Sequence, residues 1–253
     1  MTPDPRGRWT IPHRLAALGI AAVAADLGGV FLKGPLGPAG VTVGDWIDAL
    51  GTFVVIALYA WIASGLAARE RRPYPAVAHM VAALYAMGRG VHLAANSIHD
   101  MIDRTGGADP WGLVYLWDER VSHSMVDVAR IGFVIVLVSL ERAPDANESA
   151  ADSVDAVRVS KAGPGGRVAL FVGALAYGFT YFASAVEGQT VPLALPFCLA
   201  FAAWGIGSVA RGRALRPTRT FFTGAAIVSL LFFAIWGIWQ RGFPEFTHAG
   251  LIR

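Results

Sequence analysis

The chain has 253 residues, 55% of them hydrophobic and only 15% charged, with a mean hydropathy of +0.51. A soluble domain carries about 25% charged residues, so the composition excludes an ordinary water-soluble fold and points to an all-α integral membrane protein. The net charge of +3 comes from arginines spread along the chain, so no nucleic-acid partner is expected. The one cysteine, Cys198, lies in an apolar run, which leaves no intrachain disulfide and no Cys-based metal site.

Seven transmembrane helices are expected. The first runs from about Arg14 to Leu32, follows Arg6 and Arg8, and lacks a signal-peptide cleavage site. Gly34-Pro35-Leu36-Gly37-Pro38 ends it, and the second covers Val43 to Ala67. The third runs from Pro75 to about Ile102, and the fourth, after a Gly/Pro turn, from Trp111 to Leu140. Residues 141–166 are rich in Ala, Ser, Asp and Gly and read as a flexible cytoplasmic loop. The last three spans are Arg167 to Val186, Val191 to Ala210 and Phe221 to Gln240. The whole chain, 1–253, then forms a single polytopic domain, and no internal repeat is visible.

Orientation follows from the basic residues. Alternate loops hold Arg69, Arg71 and Arg72, then Arg142, Arg158, Lys161 and Arg167, then Arg211, Arg213, Arg216 and Arg219. The opposite loops are nearly free of them. The positive-inside rule places the amino terminus in the cytoplasm and the carboxyl terminus outside. The expected location is the cell membrane, and the Ala, Gly, Val and Arg content suggests a bacterial inner membrane.

The polar residues of the spans gather toward the outer side. At a rise of about 1.5 Å per residue, His99 lies about 5 Å deep, Asn96 about 9 Å, His92 about 15 Å, Glu119 about 12 Å and His123 about 18 Å. His92, Asn96 and His99 share one helix face, and Glu119, His123 and Asp127 share another. The two helices are antiparallel neighbours, so these stripes can face each other. Imidazoles with a carboxylate match the ligands of zinc or iron. His92, His123, His99 and Glu119 are therefore the candidate metal ligands, with Glu119 or Asp118 as general base. Asn96, Asp100 and Asp118 are candidates to orient an imidazole. Arg89 needs a carboxylate at mid-membrane depth, with Asp26, Asp127 or Glu119 as candidates and Asp48 nearby. Glu245 and His248 follow the last span, where the aromatic tail can fold back as a lid. His79 reads as a structural histidine, and Trp111, Trp117, Trp236 and Trp239 as interfacial anchors.

In span number and His/Asp content the chain resembles the ceramidase and adiponectin-receptor superfamily of membrane hydrolases. That resemblance is architectural: it implies a His pair in the last span, and residues 221–240 contain none. Three functions compete. In the first, a divalent metal, zinc or iron, activates water or oxygen against a lipid or other apolar small molecule entering from the bilayer, in a hydrolase-like or oxidoreductase reaction. The second is a proton- or cation-coupled transporter or channel. The third is a metal- or haem-binding sensor or electron-transfer protein. Because the inner half holds few polar groups beyond His79 and Arg130, a one-sided pocket is expected rather than a path across.

Overall fold

The computed structural model describes residues 9–32, 34, 36, 41–108, 112–141 and 163–251, apart from the side chains of residues 30, 100 and 103–105. Most of the expected loop at 141–166, and the side chain of Asp100, lie outside the described residues. The described chain is helical without strands: α1 (Ile11–Phe31), α2 (Val43–Arg69), α3 (Ala76–Thr105), α4 (Leu113–Leu140), α5 (Pro164–Glu187), α6 (Val191–Ala210) and α7 (Pro217–Gln240). All but α3 are long and apolar enough to cross a membrane, as in a multi-pass membrane protein. The exception has 30 residues, ample length, but its Arg89, His92, Asn96 and His99 lower its hydropathy.

Helix starts follow local rules. Thr42 and Asp45 form a reciprocal capping box on α2, the Thr hydroxyl accepting from the Asp45 amide at 3.2 Å and the Asp carboxylate accepting from the Thr42 amide at 2.7 Å. Proline occupies the first or second position of α1, α5, α6 and α7, where its missing N–H has no intrahelical partner to lose. These prolines start α5 and α7 three and four residues before the expected Arg167 and Phe221.

In the bundle α1 packs chiefly on α2 and α5, α3 on α4, and α7 on α5 and α6. Lipid supplies no hydrophobic drive between spans, so close van der Waals approach matters and small residues mark the crossings. A Cβ on Gly19 of α1 would overlap the Gly173 backbone of α5, and one on Gly178 would overlap the Ala225 carbonyl of α7. Ser229 adds a hydrogen bond to the Gly178 carbonyl at 2.8 Å. At the end where α4 stops and α7 starts, Glu141 accepts from the amides of Thr218 and Arg219, both at 3.2 Å, and Arg216 pairs with Glu70 at 2.8 Å. The two Glu141 bonds satisfy amide donors that α7 leaves open at its first turn.

Gly173→Leu is expected to lower the thermal unfolding midpoint in detergent, by overpacking that costs about 1–3 kcal/mol. Gly165→Leu, on the same helix but facing open space, serves as the control. Equal midpoints for the two variants would remove the α1–α5 crossing from the account.

Candidate functional site

Five helix ends converge at one end of the bundle: the ends of α1, α3 and α5 and the starts of α2 and α4. Between them lies a cavity of about 360 Å³, within the size range of small-molecule sites. Asp26, Asp48, Arg89, Asn96, Glu119 and His123 line it, with His92, and its rim carries Asp45, Glu187, Phe246 and Thr247.

Three of these lining residues, Asp26, Asp48 and Arg89, belong to a buried ion network that joins four helices. Arg89 of α3 pairs with Asp48 of α2 and lies 3.4 Å from Asp26 of α1, and it also donates to the Ala25 carbonyl at 3.0 Å. Arg130 of α4 pairs with Asp26 and, at 3.2 Å, with Asp127 one turn away. Asp127 is fully buried and accepts from the Thr190 hydroxyl at the start of α6. Of the partners expected for Arg89, Asp26 is present; Asp127 belongs to Arg130 and Glu119 to neither arginine. Deeper still, Tyr59 stacks on Phe133 at 4.0 Å, and Tyr85 and Tyr177 are buried beside them.

The start of α4 is not a regular helix. One α turn, Leu113–Tyr115, leads into a π segment, Leu116–Ser122, before α geometry resumes at His123. Such bulges are frequent at functional sites because the extra residue re-aims side chains. Here the π segment buries Asp118 and Ser122 while Leu116 and Trp117 stay exposed. Asp118 Oδ1 stands 2.8 Å from His92 Nδ1, at ion-pair distance but outside hydrogen-bond alignment. The other nitrogen of His92, Nε2, lies 3.7 Å from Asp48 Oδ2. Glu119 Oε2 lies 3.7 Å from His123 Nε2, and the two imidazoles meet edge to face with centroids 5.0 Å apart. Gly188, at the end of α5, presses on His123 so closely that a Cβ there would overlap the ring.

The tail after α7 folds back over this end. Glu245 is 5% exposed and accepts from Tyr115 Oη at 2.9 Å and from Gln189, while His248 stands 3.1 Å from it on the surface. Glu187 accepts from the Phe246 amide at 2.8 Å and from the Thr247 hydroxyl. Phe246 packs on Phe182 and Trp236, and Arg120 donates to Gln189 at 3.2 Å.

Of the residues singled out in the sequence, His92, Asp118, Glu119, His123, Asn96, Asp26, Asp48 and Arg89 meet at or beside the cavity. Asp127 lies beneath it, and His99 is not among its lining residues. The metal expectation meets a geometric obstacle. Among the described residues no group of three His, Cys, Asp or Glu side chains is arranged to hold a metal ion, so the donors do not fit zinc or iron as they stand. Thr190, Gln189, Tyr115 and Gly188 carried no signal in the sequence, since each acts through a contact with a distant helix. Comparison with protein families, curated proteins and solved structures finds no match to this chain.

Removing one member of a buried ion pair strands the other, at a cost of about 3–5 kcal/mol. Arg130→Leu is expected to lose about that much stability, read as the unfolding midpoint in detergent. Arg130→Leu with Asp127→Leu should recover at least half of it, because Asp26 and Asp48 keep Arg89. A double variant no better than the single would mean the network is not what the arginine supports.

Proposed function

We propose that the protein is a membrane-embedded enzyme, hydrolase-like, that uses the acid–base groups of the cavity on a lipid or other apolar-tailed substrate. The observation that carries this reading is the pair of facing carboxylate–imidazole couples, Asp118 with His92 and Glu119 with His123, over a cavity of small-molecule size. Below the lining, Arg130, Tyr85, Phe133 and Tyr177 are each 7% exposed or less, which supports a one-ended pocket over a path across the bundle.

The chemistry follows from the two couples. Asp118 beside Nδ1 favours the proton there and leaves Nε2 of His92 as the basic nitrogen. Nε2 takes a proton from water as the water oxygen bonds to an electrophilic carbonyl or phosphoryl centre of the substrate. The leaving oxygen takes a proton from the Glu119–His123 couple, and the proton on His92 then returns to that couple. Correctly placed general acids and bases contribute about 10²–10⁴-fold. Zinc or iron would add to this set only with a regrouping of His92, His123 and Glu119. Metal analysis of wild type beside His92→Ala and His123→Ala decides it, since an ion held there is lost in both variants.

The reading includes a topology. The protein crosses a bacterial inner membrane seven times, α3 included, with its amino terminus in the cytoplasm and its cavity facing out. The convergence of polar groups at the ends of α1, α3 and α5, opposite the Arg-rich ends, supports this. Gly107→Cys should label with a membrane-impermeant maleimide on intact cells, and Arg213→Cys only after lysis. Native Cys198 is 1% exposed and stays silent.

Turnover is tested by incubating purified protein with extracted membrane lipids and following products by mass spectrometry. Wild type should convert a lipid class, and His92→Ala should lower the rate by about 10²–10⁴-fold. Unchanged lipids with wild type, or equal rates in the variant, would defeat the enzyme reading. The ion network favours a second reading, a proton- or cation-coupled transporter. It requires Arg130-dependent proton uptake in proteoliposomes.

A further inference from the structure

The carboxylates in, beside and beneath the cavity outnumber the cations that face them. Asp26, Asp48, Asp118, Asp127 and Glu119 are met by two guanidiniums, Arg89 and Arg130, and by the imidazoles of His92 and His123. Even with both imidazoles protonated, five acids face four cations. Two imidazoles with centroids 5.0 Å apart resist being charged together, which widens the deficit. An unmatched carboxylate in a low-dielectric interior is costly, so such a site takes up a proton or draws in a positive group.

Three observations say what kind. The cavity holds about 360 Å³, far more than a bare ion occupies. Among its lining residues, Asp26 Oδ1 and Glu119 Oε2 are buried oxygens that accept no hydrogen bond, their nearest charged partners being Arg89 at 3.4 Å and His123 at 3.7 Å. Finally, the donors do not close into a three-ligand metal set. An ammonium group needs no such closure, because it donates separate N–H bonds at about 2.7–2.9 Å to each oxygen. Asp45 and Glu187 at the rim add attraction for an arriving cation.

We propose that the cavity binds an organic ammonium group, seated between Glu119, Asp26 and Asn96, and that this group is the polar head of the ligand. The inference rests on the same cavity being the working site and narrows its substrate to an amine-bearing one. An ammonium can arrive on a free amine or on a lipid head group.

Thermal unfolding of the full-length protein in detergent separates these. Ethanolamine hydrochloride is compared with sodium chloride and sodium acetate at equal ionic strength, and phosphatidylethanolamine with phosphatidylglycerol in the same detergent. A ligand that binds the folded state alone raises its unfolding midpoint in a saturable way. At least one amine-bearing probe should do so while its control does not. A response to free ethanolamine indicates a soluble ligand, and a response to the lipid alone indicates a head group. Glu119→Gln should abolish most of the shift. If that variant does not fold, Asn96→Leu, which narrows the cavity, should reduce it. No shift with either amine, an equal shift with the controls, or a full shift in the folded variants overturns the proposal. Amine binding without lipid turnover would defeat the enzyme reading and leave this one. Turnover of amine-free lipids without amine binding would do the reverse.

Discussion

The arrangement depends on two guanidiniums buried among the helices, Arg89 at 8% and Arg130 at 4% exposed. Arg89 and Arg130 stand on neighbouring helices, and neither is tolerable in a bilayer without an anion beside it. Asp26 lies between them and pairs with both, Asp48 joins the first and Asp127 the second. That shared carboxylate fixes α1 against α3 and α4 at one depth. With Asp48 from α2 and the Thr190 hydroxyl at the start of α6, the network sets the register of five helices. Small-residue crossings such as Gly19 on Gly173 hold the bundle laterally, but they do not choose its depth. The ions do.

The ion network closes one end of the cavity. Buried aromatic side chains close the space below Arg130. On the other side of Arg89 lies the cavity, where the polar groups are only partly matched. The contrast between the two tiers is chemical as well as spatial. Below, each arginine has two carboxylates. Above, Glu119 Oε2 has an imidazole at 3.7 Å and accepts no hydrogen bond.

Much of this was legible in the sequence. Long apolar runs mark the helices, and the i, i+4, i+7 spacing of His92, Asn96 and His99 marks the polar face of α3. Facing placement of His92 and His123 follows from their antiparallel helices and short connection. Beyond Asp26, one of three candidates for Arg89, the partners were not legible, because pairing depends on rotation about each helix axis, which hydropathy leaves free where polar residues appear on several faces. Arg130 is the clearest case: as a lone inner-half arginine it gave no hint of closing on Asp26, 104 positions earlier. His99 shows the converse, since its spacing puts it on the right face but its position near the helix end takes it past the cavity. The π segment was invisible for a related reason. Leu116–Ser122 has no proline or glycine to break the α ladder, and the widened turn is selected by what it buries.

That widened turn connects the fold to the chemistry. Asp118 and His92 lie on different helices, so their approach to 2.8 Å needs Asp118 turned inward at a point where its neighbours Trp117 and Leu116 stay exposed. Placing Glu119 toward His123 at the same time asks one short stretch to present consecutive acids to two different imidazoles. Adjacent α-helical residues diverge by about 100°, too widely to serve neighbouring rings from one face, and a π turn alters that spacing. Gly188 completes the constraint from the far side, because only a residue without a Cβ lets the end of α5 lie on the His123 ring. The approach of Asp118 to His92 is therefore a product of backbone geometry in α4 as much as of residue type, whereas Glu119 and His123, four positions apart, would be neighbours on a regular helix as well.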